Sequence, residues 1–84
     1  MRSHQQLLAW QRAHAVVVGV HRFAATNWHP SYAAVLDQLR RSALSVDLNI
    51  VEGFASGQGR RCRYHLRIAF GSAAETVALL ELLA

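Results

Sequence analysis

Apolar residues along this chain recur at spacings of three and four, the period of a helix laid against a core. The first such segment runs from about Gln5 to Ala25, with Trp10, Ala13, Val16, Val17, Val20, Phe23 and Ala24 on one face. Thr26 to Pro30 interrupts it. Pro30 biases His29 away from the helical region and itself suits a helix start. The second segment runs from about Ser31 to Ala55, striped by Tyr32, Val35, Leu39, Ala43, Val46, Ile50 and Phe54. Ser56-Gly57-Gln58-Gly59 forms the next break, its two glycines marking a turn. The third segment begins near Arg60 and continues to the end, with Leu66, Ala69, Ala73, Val77 and Leu80 as its stripe. No period-two alternation, internal repeat or low-complexity tract is present. The pattern predicts an all-α fold, one up-and-down antiparallel helical bundle over residues 1–84 with three long helices and short loops. A helix of roughly 24 residues spans about 36 Å, so three of them make an elongated bundle.

Two stretches exceed what three amphipathic helices need. Residues 77–84 are apolar on nearly all sides, and Ala15 and Val18 lie off the main stripe of the first helix. A helix that is apolar all round has to be covered. The expectation is an oligomer, or a further helix, over these surfaces.

Polar residues also keep helical time. Gln38, Arg41, Ser45, Asn49 and Glu52 form a continuous stripe along the second helix, and Arg67, Gly71 and Glu75 follow one another at spacings of four on the third, with Ser72 adjacent. Gly71 costs about 1 kcal/mol against alanine in a helix interior, which suggests a close helix neighbour. Arg41 is expected to meet Glu75 or Glu52 across the helix pair, with Ser45 and Asn49 satisfying the remaining donors and acceptors, since buried charges require partners. A face that contacts only water fits the same stripe. An acid–base site around Glu52 and Glu75 is a third reading, but no nucleophile, metal cluster or phosphate loop accompanies it.

Composition narrows the class. The chain has 84 residues, enough for one domain, and 52% of them are hydrophobic, which excludes a disordered polymer. One proline and five glycines argue against a turn-rich all-β fold. The lone Cys62 excludes a disulfide framework and fits a reducing cytoplasm. No apolar run approaches the roughly 20 residues of a membrane span. The start, Met1-Arg2-Ser3-His4, leads into a segment interrupted by Gln11, Arg12 and His14, unlike a signal peptide.

All nine basic residues are arginine, and the net charge is +4. Arg60, Arg61, Arg63 and Arg67 gather at the start of the third helix. Cations there oppose the helix dipole by about 0.3–1 kcal/mol each. The same end offers free N–H groups to anions, and arginine forks grip phosphate bidentately. These four are the candidate nucleic-acid-binding residues; the alternative is a solvated arginine face. His14 and His21 lack a third metal ligand, so no metal is expected. Gly57-Gln58-Gly59 lacks the Gly-Lys-Ser/Thr of a phosphate loop. Cys62, between two arginines, is either a reactive thiol or a packed one. Trp10 and Trp28 are read as packing anchors rather than base-stacking platforms.

The segment from Gln38 through Arg41, Ser45 and Asn49 to Glu52-Gly53 closely resembles a family signature of the form Q-x-R-R-A-x-x-S-I-x-x-N-I-x-E-G. Ile68-Ala69-Phe70-Gly71-Ser72-Ala73-Ala74-Glu75 looks like that family's I-A-x-G-S-x-x-E, and Leu8-Ala9-Trp10 through Ala13-His14 its opening motif. The chain thus resembles the bacterial four-helix-bundle proteins, also called the rRNA intervening-sequence protein family. The resemblance implies a four-helix bundle assembled as a ring-like homopentamer, with no enzymatic activity and no cofactor. A related branch assists diversity-generating retroelements and binds nucleic acid and a reverse transcriptase. The sequence departs from the family at Asp47, where proline is frequent, in the loop after Gly53, and at its end, where the family's fourth helix is expected to be lacking. The functional expectation is a homo-oligomeric nucleic-acid binder; the alternative is a protein-interaction scaffold that touches no nucleic acid.

Overall fold

The computed structural model describes residues 3–84; Met1 and Arg2, the start of the leader considered above, lie outside them. Three helices carry the fold: α1 (Leu8–Thr26), α2 (Ala33–Ala55) and α3 (Arg60–Leu83). There is no strand among the described residues. Short 3-10 turns at His4–Gln6 and Pro30–Tyr32 precede α1 and α2, so both helices begin two to three residues later than their periodicity predicts.

Local chemistry sets these boundaries. Ser3 accepts the Gln5 N–H at 3.1 Å, and Leu7 then adopts an extended conformation that separates the first turn from α1. Asn27 closes α1, both its backbone and side-chain nitrogens donating to the Phe23 carbonyl at 2.9 Å. His29 accepts the Ser31 N–H through Nδ1 at 3.1 Å, and Pro30 opens the next turn. At the end of α2, Ser56 donates to the Glu52 carbonyl from both its amide and its hydroxyl. Gly57 and Gly59 take φ of 77° and 106°, which reverses the chain in four residues where side chains would be strained.

α2 is the central helix, and α1 and α3 each pack against it in antiparallel fashion. The assembly of rods measures 43 × 21 × 16 Å. Leu36 and Leu39 are its fully buried large side chains. Around them lie two clusters: Ala13, Ile50 and Ala69 with Leu7, Trp10 and Val46 against them, and Val20, Leu39 and Ala43 with Val17, Leu79 and Leu83. Four of the buried apolar residues are alanines, Ala13, Ala24, Ala43 and Ala69. Small side chains bring helices close but bury little area, so each contributes less than the about 1.5–3 kcal/mol of a buried leucine.

The third helix is turned differently from its apolar stripe. Ala69 and Thr76 are buried against α2, with His65, Ser72, Leu79 and Leu83 half-buried beside them. Leu66, Val77 and Leu80 of the predicted stripe are exposed instead. The reason lies on α2, whose Ser42, Ser45 and Asn49 face α3 and need hydrogen-bonding partners that only the hydroxyl-bearing side of α3 supplies. Between α1 and α3, over the floor of α2, runs an apolar groove of about 330 Å³ lined by Ala9, Val16, Val46, Ile50, Val77 and Leu80 among others.

Candidate nucleic-acid interface

The polar stripe of α2 divides into an inner and an outer part. Inside, Ser42 is buried and its hydroxyl donates to the Leu39 carbonyl at 3.1 Å. Thr76 Oγ1 lies 2.8 Å from both the Ser42 hydroxyl and the Ser72 carbonyl oxygen. One turn along, the Ser45 and Ser72 hydroxyls meet at 2.8 Å. Asn49 donates through Nδ2 to the Ser45 carbonyl and hydroxyl, while its Oδ1 sits 3.0 Å from His65 Nδ1. Gln38 Nε2 donates to Glu75 Oε2 at 2.6 Å on the exposed rim. Ser45 and Asn49 thus join α2 to α3 through Ser72 and His65, the Gln38–Glu75 pair joins the same helices separately at the rim, and no buried side-chain nitrogen or oxygen is left unpaired among the described residues.

Arg41 and Glu52 take no part in these contacts. Arg41 pairs with Asp37 of its own helix at 3.0 Å, its side chain 72% exposed, and never reaches Glu75 or Glu52. A one-turn spacing of acid before base is satisfied locally, at no cost in desolvation. Arg40 shares the same carboxylate at 3.3 Å. Glu52 is exposed, and its carbonyl, rather than its carboxylate, is the hydrogen-bonding group, accepting from Ser56. Glu52 and Glu75 therefore form no shared acid–base pocket. Gly71 has no neighbour within 4 Å of where a Cβ would stand, so no helix of this chain approaches it. The close approach is at Gly53, where an added Cβ would meet the Cys62 carbonyl oxygen at 3.4 Å.

A buried carboxylate escaped the pattern altogether. Asp47 is buried on α2 and receives the Trp10 indole N–H at 2.7 Å on one oxygen and His14 Nδ1 at 3.1 Å on the other. Trp10 and His14 stack with ring centroids 4.7 Å apart, and His4 meets Trp10 edge-on at 4.9 Å. The signal was Trp10 and His14, four apart on one face and each carrying a ring N–H. His21 points elsewhere, to the Val17 carbonyl at 2.9 Å.

The arginines at the start of α3 have a different character. Arg60, Arg61, Arg63 and Arg67 are all exposed, and none forms an ion pair among the described residues. Spacings of three and four put Arg60, Arg63 and Arg67 on one face, with Arg61 about 100° round the helix. Gly59 precedes them with no side-chain cap, so nothing from the protein's side chains answers the N–H groups of the first turn. Cys62, half-buried, lies between them. Chemically, this is a cluster of free guanidinium groups beside open amides, a surface suited to phosphate oxygens.

Fold and surface together define a small all-helical bundle protein with an arginine-rich helix end and an apolar groove between α1 and α3. The family model of the 23S rRNA-intervening sequence protein matches residues 5–84, and the chain belongs to that family. No curated protein and no solved structure matches it. No helix among the described residues is long and apolar enough to cross a membrane.

Proposed function

We propose that this protein is a non-enzymatic, homo-oligomeric helical bundle that binds the backbone of RNA or DNA. The observation that carries the reading is the contrast among its arginines. Arg40 and Arg41 share the single Asp37 carboxylate and the exposed Arg12 and Arg22 stand ten residues apart on α1, whereas Arg60, Arg61, Arg63 and Arg67 stand exposed, with no ion pair among the described residues, within two turns of one helix end. Arginines placed against the helix dipole lower stability unless an anion occupies the end. Phosphate contacts of this kind fix position without reading sequence. In the pentameric ring that the family resemblance implies, the cluster repeats in every subunit and its field adds up. The lone thiol supports a cytoplasmic site of action.

The test is binding of a generic single-stranded RNA, followed by fluorescence anisotropy and light scattering at low and high salt. Binding at low salt that collapses as salt rises, and is lost in the Arg60→Ala/Arg61→Ala double variant, supports the reading. The second reading is a protein scaffold that recruits a partner, such as a reverse transcriptase, and touches no nucleic acid. The apolar groove between α1 and α3 favours it. An assembly indifferent to RNA at every salt concentration leaves that reading standing and removes the first.

A further inference from the structure

Among the arginines at the start of α3 stands an aromatic ring that neither the core nor the phosphate contacts use. Tyr64 is 61% exposed. Arg60 and Arg61 lie four and three residues before it, Arg63 is adjacent, and Arg67 lies three residues after it. Residues three and four apart are neighbours on a helix surface, so Arg60 and Arg61 border the ring on one side and Arg67 on the other. No acidic residue occurs along the chain between Glu52 and Glu75, so α3 carries one sign of charge around the ring.

The ring is also tied to the interior. His65 meets Tyr64 with ring centroids 5.3 Å apart and 76° between the planes. His65 is in turn held from α2, its Nδ1 lying 3.0 Å from Asn49 Oδ1. An edge-on neighbour covers one face of a ring at most and leaves the other to water. The Tyr64 hydroxyl forms no hydrogen bond among the described residues, so the ring itself is the group on offer.

We propose that Tyr64 is a platform on which an unpaired base stacks, so that the cluster takes single-stranded rather than double-stranded nucleic acid. The proposal rests on the phosphate-binding reading above and deepens it, the arginines holding the backbone and the ring a base. Every base has a π face, so a stacking ring adds affinity without reading sequence. Bases in a duplex stack on one another and present only their edges in the grooves, so the ring has no face to lie on there. Arginine contacts alone would hold either form. The chain contains its own comparison. Trp28 is 57% exposed, but it sits in the α1–α2 connection, at the end of the rods opposite the α2–α3 connection, with no arginine within five residues of it in sequence. A base stacked there would gain a ring and forgo the backbone contacts.

The test compares two strands of equal length and charge, an oligodeoxyadenylate and its abasic counterpart, by fluorescence anisotropy at low salt. The parent chain should bind the adenylate about fivefold or more tighter than the abasic strand, a comparison that needs no variant. Tyr64→Leu should bring the two affinities to within about twofold of one another and leave the salt slope unchanged, since every arginine remains. Tyr64→Phe should bind as the parent does, and Trp28→Leu should keep the preference. Circular dichroism of Tyr64→Leu should match the parent, because the side chain lies outside the core. Equal binding of the two strands by the parent chain, or a preference that survives Tyr64→Leu, overturns the stacking proposal and leaves the phosphate reading standing. Binding of neither strand at any salt concentration overturns the phosphate reading itself, and the proposal with it.

Discussion

Trp10 and Asp47 are 37 residues apart in sequence and 2.7 Å apart in space, the indole N–H of α1 donating to a carboxylate oxygen on α2. The contact joins a helix whose apolar face is short of large side chains to the central helix of the fold. His14 takes the second oxygen, with its own side chain half exposed, whereas that of Asp47 is only 8% exposed. A buried acceptor held by two donors fixes the rotation of α1 about its axis more sharply than alanine packing does.

Asp47→Ala should therefore lower unfolding free energy by about 1–3 kcal/mol, the usual cost when a part-buried donor such as the Trp10 N–H loses its partner. His14→Ala should cost less, about 0.2–1 kcal/mol, because its ring is half in water. Urea denaturation of the two variants ranks them. Equal costs, or a larger cost for His14, would show that the carboxylate is not the centre of the cluster.

The interior hydroxyls make a sharper comparison. Ser42 and Thr76 meet at 2.8 Å in a buried site, while Gln38 and Glu75 meet at 2.6 Å on the rim. Distance alone ranks the rim pair first; burial reverses the order. A double-mutant cycle on Ser42→Ala and Thr76→Val should give a coupling of at least about 0.5 kcal/mol. The cycle on Gln38→Ala and Glu75→Ala should stay below that, since water competes for both groups.

One substitution should act with opposite signs at two glycines. Gly71 has open space around it and sits inside a helix, so Gly71→Ala should stabilise the isolated chain by up to about 1 kcal/mol. Gly59 has φ 106° and ψ −150°, a region essentially reserved for glycine, so Gly59→Ala should destabilise by about 1–3 kcal/mol. Thermal melts of the two single variants against the parent chain compare them. Stabilisation by both, or by neither, contradicts the geometry.

These cases show where sequence and structure part. The breaks between the helices were legible because Pro30, Gly57 and Gly59 constrain the backbone whatever surrounds them, whereas the 3-10 turns that delay the starts of α1 and α2 were not. The face that α3 turns inward was not, because hydropathy ranks Leu66 and Val77 above Ser72 and Thr76. It does not see that Ser42 and Ser45 on the opposing helix need hydroxyl partners. The spacing of Gln38, Ser45 and Asn49 marked a polar stripe on α2 and left open whether it met α3 or water; their partners Glu75, Ser72 and His65 were visible only in the structure. Arg41 was lost from those contacts because Asp37, one turn away, offers a nearer carboxylate than any across the helix pair. Asp47 was hidden for the converse reason: its partners Trp10 and His14 lie on another helix, and a single acid in an apolar run reads as an exposed interruption.

The arginine cluster makes the last prediction, one in which salt is the measuring instrument. Each phosphate contact releases a bound counterion, so log K falls with log salt in proportion to the number of contacts, about 0.7 per contact on a single strand. Arg63→Ala should therefore weaken RNA binding and also flatten the salt slope by about that amount. The control lies one helix away. Arg41→Ala removes the same charge from a guanidinium already paired with Asp37, and it should leave the slope nearly unchanged. Net charge falls equally in the two variants, so a general attraction between a basic protein and an acidic polymer predicts equal losses. Unequal slopes locate the phosphate contacts at the start of α3; equal ones would assign the binding to overall charge and to no site in particular.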